Sequence, residues 1–191
     1  MNKKRIAIFA SGSGSNAQNI FEYFADSEMV IVDSLWANKP DAYALTRAKK
    51  YGIEAFVFTR KEFYESDKLL EILRNRKVDL IVLAGFLWLI PDNLIESFPI
   101  VNIHPALLPN YGGKGMYGMN VHRAVVENKE SESGISIHYV NEKYDDGKLI
   151  FQAKCEVSET DTPEMVAEKV HQLEYKHFPS VIEKVILTDL A

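Results

Sequence analysis

The chain has 191 residues, 47% hydrophobic and 11% aromatic, enough for one domain with a sizeable core. Its net charge is −5, from 22 basic and 27 acidic side chains, which argues against a nucleic-acid partner but leaves room for a small anionic substrate held by backbone amides. Cys155 is the only cysteine, which excludes an internal disulfide, and the apolar run after the basic start ends at Ala10, too short for a signal segment or a membrane span; a cytoplasmic protein without a membrane partner is expected.

Residues 5–10 form an apolar run that ends in Ser11-Gly12-Ser13-Gly14-Ser15-Asn16. This reads as a buried strand entering a glycine loop. Ala17, Ile20, Phe21 and Phe24 then recur at helical spacing, with Ser15 or Asn16 as the cap. Residues 29–37 are a second strand, and residues 41–51 a helix with Ala42, Leu45 and Ala48 inward and Gly52 past its end. Residues 54–58 are a third strand. Residues 61–76 read as one helix with Leu69, Ile72 and Leu73 inward. Residues 78–84 are almost wholly apolar, as a central strand covered on both faces would be. A short helix over 91–98 leads to a strand over 100–103 that enters His104-Pro105. Strand and helix in alternation call for a parallel sheet with right-handed crossovers.

The pattern then changes. Residues 107–119 hold four glycines and Pro109, and are a loop. A short helix over 120–128 follows. Residues 134–140 alternate, with Ile135, Ile137 and Tyr139 on one face and Ser136 and His138 on the other. With a strand over 148–157 and a turn at Asp145-Asp146-Gly147 they make an antiparallel hairpin. Cys155 on that strand reads as core. The chain closes in a long helix, capped by Thr162 with Pro163 at its first position, which Pro179 should kink or divide. The fold class is α/β: a Rossmann-like open sheet, mostly parallel, with a C-terminal antiparallel hairpin and a long terminal helix.

Three segments carry candidate chemistry. In the first, Gly14, Ser15 and Asn16 open a helix whose free N–H groups attract a phosphate. Gly12-x-Gly14-x-x-Ala17 also fits a dinucleotide fingerprint, which wants an acid closing the second strand; the acid there is Asp33, inside the strand. A tight turn without a ligand is the third reading. In the second, Asn102 and His104 are two apart on a strand and project together at its carboxyl end. An amide donor beside an imidazole suits an acyl-type transfer, where it meets a developing oxyanion and moves a proton; two residues that only satisfy loop backbone would look the same. In the third, Asp145 would raise the pKa of a nearby imidazole, or else merely make a turn with Asp146 and Gly147. His122 and His177 read as solvated or structural. His171 and Glu174 are one helical turn apart and could face a ligand together. No histidine or cysteine spacing matches a metal site, so no metal is expected.

In this order, Ser11 to Asn16, Leu83-Ala84-Gly85-Phe86, Asn102-Ile103-His104-Pro105-Ala106-Leu107-Leu108-Pro109 and Gly134 to Val140 followed by Asp145-Asp146-Gly147 resemble the folate-dependent formyltransferases. Within them the chain resembles the phosphoribosylglycinamide formyltransferase family, over residues 4–186. The resemblance implies that 10-formyltetrahydrofolate, as co-substrate, gives its formyl group to the amine of glycinamide ribonucleotide. It implies that Gly14, Ser15, Asn16 and Glu174 hold the ribonucleotide. Asn102 and His104 would stabilise the oxyanion, His104 as proton donor held charged by Asp145. Folate would lie against Leu87, Trp88, Leu89, Ile90, Asn102 and Val140, its tail near Lys61. One domain over 1–191 is expected, with a phosphate-binding half (1–100) and a catalytic and folate half (101–191), acting as monomer or homodimer. The chain departs from the family at Leu87-Trp88, where an arginine is usual, at Asp146, and in a longer loop over 111–119 that reads as a substrate lid.

Overall fold

A computed structural model describes residues 3–190. Five strands, β1 (Lys4–Ala10), β2 (Val30–Ala37), β3 (Glu54–Val57), β4 (Leu80–Leu83) and β5 (Ile100–His104), are parallel. Two more, β6 (Glu132–Tyr139) and β7 (Leu149–Glu156), extend the sheet antiparallel, giving the order β3-β2-β1-β4-β5-β6-β7. The expected mixed, mostly parallel sheet is therefore present, and its order reverses beside β1, between β1 and β4. Such a switch point opens a crevice at the carboxyl ends of the strands.

Strand alternation divides the core. Ile6, Ile8 and Ala10 of β1 face one layer, while Ala7 and Phe9 face the other, and all five are fully buried. The first layer contains α1 (Ser15–Phe24), α2 (Tyr43–Lys50), α6 (Met119–Glu127) and α7 (Pro163–Lys184). The second contains α3 (Arg60–Tyr64), α4 (Lys68–Asn75) and α5 (Asp92–Ile95), around Trp36, Phe58, Phe63 and Phe86. Each fully buried Ile or Phe contributes about 1.5–3 kcal/mol, so the two layers anchor β1, and with it the loop at its end.

Several elements differ from the reading of the sequence. Residues 61–76 hold two helices, not one. Thr59 and Glu62 form a capping box that starts α3, and the Ser66 hydroxyl donates to the Glu62 carbonyl at 2.9 Å, drawing the chain out of the helix before α4 begins. Cys155 is half-buried on β7 rather than in the core. The hairpin connection spans residues 140–148, and Asp145-Asp146-Gly147 is only its second half. Pro179 neither breaks nor divides α7. Proline leaves the carbonyl four residues back without its helical donor; here that carbonyl, of Tyr175, accepts from Asn19 Nδ2 of α1 at 3.0 Å. The lost bond is replaced across the helix interface, and the helix runs on.

Asp33 also has an unexpected setting. Its side chain is fully buried on β2 and accepts from both Arg5 and Arg76, the latter at 2.6 Å. Burial pushes the carboxyl up, but hydrogen bonds from Arg76, Ser34 and Arg5 outweigh it and hold the pKa below its ordinary 3.8. A lowered carboxylate pKa stabilises the fold above the unfolded value and ceases to do so as pH falls through the folded one. Asp33→Asn is thus expected to cost about 3 kcal/mol at pH 7, the low end for a broken buried pair because both arginines remain partly solvated. Urea unfolding at pH 7 and pH 3 checks this: the gap between wild type and variant should narrow at the lower pH, and a constant gap would sink the assignment.

Candidate active site

One cavity of about 520 Å³ occupies the crevice and is lined from the glycine loop to the hairpin connection. At one end lies the start of α1. Its cap is Gly14, left-handed at φ 71°, and no side chain occupies the cap. A Cβ on Gly14 would lie 2.6 Å from the Ala44 backbone, so α2 packs on the loop only because residue 14 is glycine. The Arg47 Nε donates to the Ser13 carbonyl at 2.8 Å, turning that oxygen away from the helix start. The first N–H groups of α1 are left for an anion. Asn16 Nδ2 donates to Glu174 Oε2 at 3.0 Å, and His171 Nδ1 lies 2.8 Å from the same oxygen. Glu174, buried to 4% exposure on α7, is thereby joined to the loop at the far end of the chain. The Glu174 carboxylate holds the His171 pKa above its ordinary value. The dinucleotide reading fails, since its acid, Asp33, is sequestered between Arg5 and Arg76.

At the other end, β5 delivers Asn102 and His104. Asn102 faces His138 across the β5–β6 register, and His104 faces Ser136. His138 Nδ1 lies 2.8 Å from the Tyr139 carbonyl, which fixes the ring proton on Nδ1; the Nε2 lone pair then accepts from Asn102 Nδ2 at 3.1 Å. Asp145 Oδ1 is 3.4 Å from Asn102 Nδ2 and 3.5 Å from His104 Nδ1. Its other oxygen accepts from the Gly113 N–H at 2.9 Å. Asp146 is exposed and sits 4.0 Å from Lys143, so Asp145 is the carboxylate that meets His104. The turn is held in this shape by Gly147, where a Cβ would lie 1.6 Å from the Tyr139 carbonyl oxygen.

Electrostatics here depart from expectation. Burial drives the His104 pKa below its ordinary 6.5, and the Asp145 charge, which acts the other way, does not reverse it. Desolvation outweighs a carboxylate at 3.5 Å. The His104 Nε2–H donates to the Tyr111 carbonyl at 2.8 Å. Burial also pushes Asp145 up, but the His138 and His104 imidazoles and the Gly113 amide outweigh it and hold its pKa below its ordinary 3.8.

Leu87, Trp88, Leu89, Ile90 and Val140 form an apolar shelf along the cavity. Lys61 does not join them. It lies exposed on α3, away from the lining, because Phe63 turns that helix to the core. Its neighbour Arg60 has its guanidinium 5.6 Å from the Trp88 ring centre and 4.9 Å from that of Tyr64, and Lys114 and Lys143 line the cavity itself. Residues 113–119 of the glycine-rich loop line the cavity as well. Two histidines escaped the sequence reading. His138 enters through strand pairing alone. His122, read as solvated or structural, is buried in the cavity wall. No group of three or more His, Cys, Asp or Glu among the described residues is placed to hold a metal ion.

A crevice at a switch point, with an anion cradle at one end and an amide–imidazole–carboxylate cluster at the other, defines a group-transfer enzyme of the doubly wound α/β class. The chain belongs to the formyl transferase family, whose model matches residues 4–182. It is 35% identical to a phosphoribosylglycinamide formyltransferase of Bacillus subtilis over 96% of this chain and 95% of that protein. It is 42% identical to a chloroplastic phosphoribosylglycinamide formyltransferase of Arabidopsis thaliana over 94% of its length, and spans 64% of that relative. The crystal structure of glycinamide ribonucleotide transformylase 1 from Geobacillus kaustophilus superposes with a TM-score of 0.87 at 34% identity, over 97% of this chain and all of the other.

Proposed function

We propose that the protein transfers the formyl group of 10-formyltetrahydrofolate to the amine of glycinamide ribonucleotide, a step of purine synthesis. The observation that carries this is the placing of Asn102, His104 and Asp145 in the same cavity as the open start of α1, which couples a phosphate anchor to an acyl-transfer cluster. Gly14, Ser15 and Asn16 hold the phosphate, and Glu174 takes a ribose hydroxyl. The shelf from Leu87 to Ile90, with Val140, takes the pterin, and Arg60 rather than Lys61 meets the anionic tail. Asn102, and His104 by turning its Nε2–H from the Tyr111 carbonyl to the substrate, stabilise the oxyanion formed when the amine adds to the formyl carbon; preorganised donors of this kind contribute about 3 kcal/mol each. Collapse breaks the bond to the folate nitrogen, which gains the proton the amine loses. Residues 1–100 supply the phosphate end and residues 101–191 most of the catalytic and folate end of one domain. Small molecules are its partners, as the net charge of −5 favours, and it works as a monomer or homodimer in the cytoplasm, a compartment its single thiol suits.

The test is turnover of purified protein with both substrates, followed as folate deformylation. Deformylation without the amine would identify a hydrolase instead; ribonucleotide binding without any deformylation would identify a non-catalytic binding module.

A further inference from the structure

His122 is a buried group of the cavity wall that belongs to neither the helix start at Gly14 nor the cluster around Asn102 and His104. Helix α6 sends Val121 and Val125 into the core and His122 beside them, only 2% exposed, at the cavity wall. Its ring centre lies 6.5 Å from that of His171, the partner of Glu174. Through His171 it adjoins Glu174, and it lines the same cavity as Asn102 and His104. A histidine placed only for packing has its ring nitrogens hydrogen-bonded. His122 does not: among the described residues its Nδ1 is buried with no partner. Leaving such a group unsatisfied costs about 1–3 kcal/mol, a cost that a ligand bound against it would remove.

We propose that His122 hydrogen-bonds the glycinamide end of the ribonucleotide and positions its amine for attack. This rests on the activity proposed above. The glycinamide is the part of that substrate that must run from the ribose, at Glu174, to the reacting carbon, at Asn102 and His104. Burial, and behind it the His171 and His104 charges, holds the His122 pKa at about 4 against the pull of Glu174. The ring is therefore neutral at pH 7, with one N–H and one lone pair, complementary to the C=O and N–H groups of a glycinamide. A charged imidazolium would offer no acceptor to the amine.

Calorimetric titration of wild type, His122→Phe and His122→Gln with glycinamide ribonucleotide and with ribose 5-phosphate tests this. His122→Phe should weaken glycinamide ribonucleotide binding by about tenfold, as loss of a hydrogen bond predicts, and leave ribose 5-phosphate within about twofold. His122→Gln, which keeps an acceptor and a donor, should recover most of the loss. Equal weakening of both ligands, or of neither, would overturn the proposal. If the phenylalanine variant does not fold, ring ¹⁵N shifts of His122 in wild type decide: they should move with glycinamide ribonucleotide and not with ribose 5-phosphate, and no difference between the two would overturn it. Formyl transfer is measured on the same preparation. A wild type that binds through His122 but transfers no formyl group would remove the activity and keep the contact.

Discussion

His104→Ala is expected to lower kcat by about 10³-fold or more while the ribonucleotide Kd changes by less than about twofold. One oxyanion donor accounts for about 10²–10³ and proton transfer for about 10²–10⁴, and the two are not additive in a single residue. The binding end should be indifferent, because the Gly14–Glu174 cradle shares no hydrogen bond with His104. Removing a buried ring also leaves a cavity, so His104→Gln is the companion variant: it keeps volume and a donor and should fold like wild type, yet still lose most turnover. Single-turnover formation of deformylated folate separates chemistry from binding. Turnover retained in both variants would take His104 out of the reaction.

Asp145→Asn is expected to cost about 10²–10³ in kcat, comparable in kind to losing the carboxylate behind a catalytic imidazole. The carboxylate touches Asn102 and the Gly113 amide and stands 3.5 Å from His104, so its loss disturbs donor, imidazole and loop together. The pH profile separates charge from shape. His104 already titrates below 6.5 because burial outweighs Asp145. With the carboxylate gone only the burial remains, and the pKa falls further. The limb of kcat/KM that reports His104 should therefore move to lower pH in Asp145→Asn. An unmoved limb, whatever the rate, would show that the two groups do not interact electrostatically.

Much of this protein was legible along the chain. Runs such as residues 5–10 and 78–84 announce buried parallel strands because both faces need apolar side chains. The glycine loop before a helix, and Asn102 two residues from His104, are local patterns with local meaning. Where the sequence reading went astray, long-range partners had intervened. Pro179 looked like a break until Asn19 supplied the donor its helix lacked. Asp33, already misplaced inside its strand for a ribose ligand, is enclosed by Arg5 and Arg76. Lys61, expected near the folate tail, lies exposed on α3 outside the cavity lining, because Phe63 sets the phase of that helix against the core.

The sequence by itself determined the strands, the glycine loop that opens α1 and the amide–imidazole pair, since each follows from side chains within a few residues of one another. Only the tertiary structure decided which carboxylate meets His104, that His138 and His122 line the cavity, and that burial outweighs Asp145 in shifting the His104 pKa. Those outcomes depend on strand register, helix phase and desolvation, which arise when segments far apart in the chain exclude water from one another.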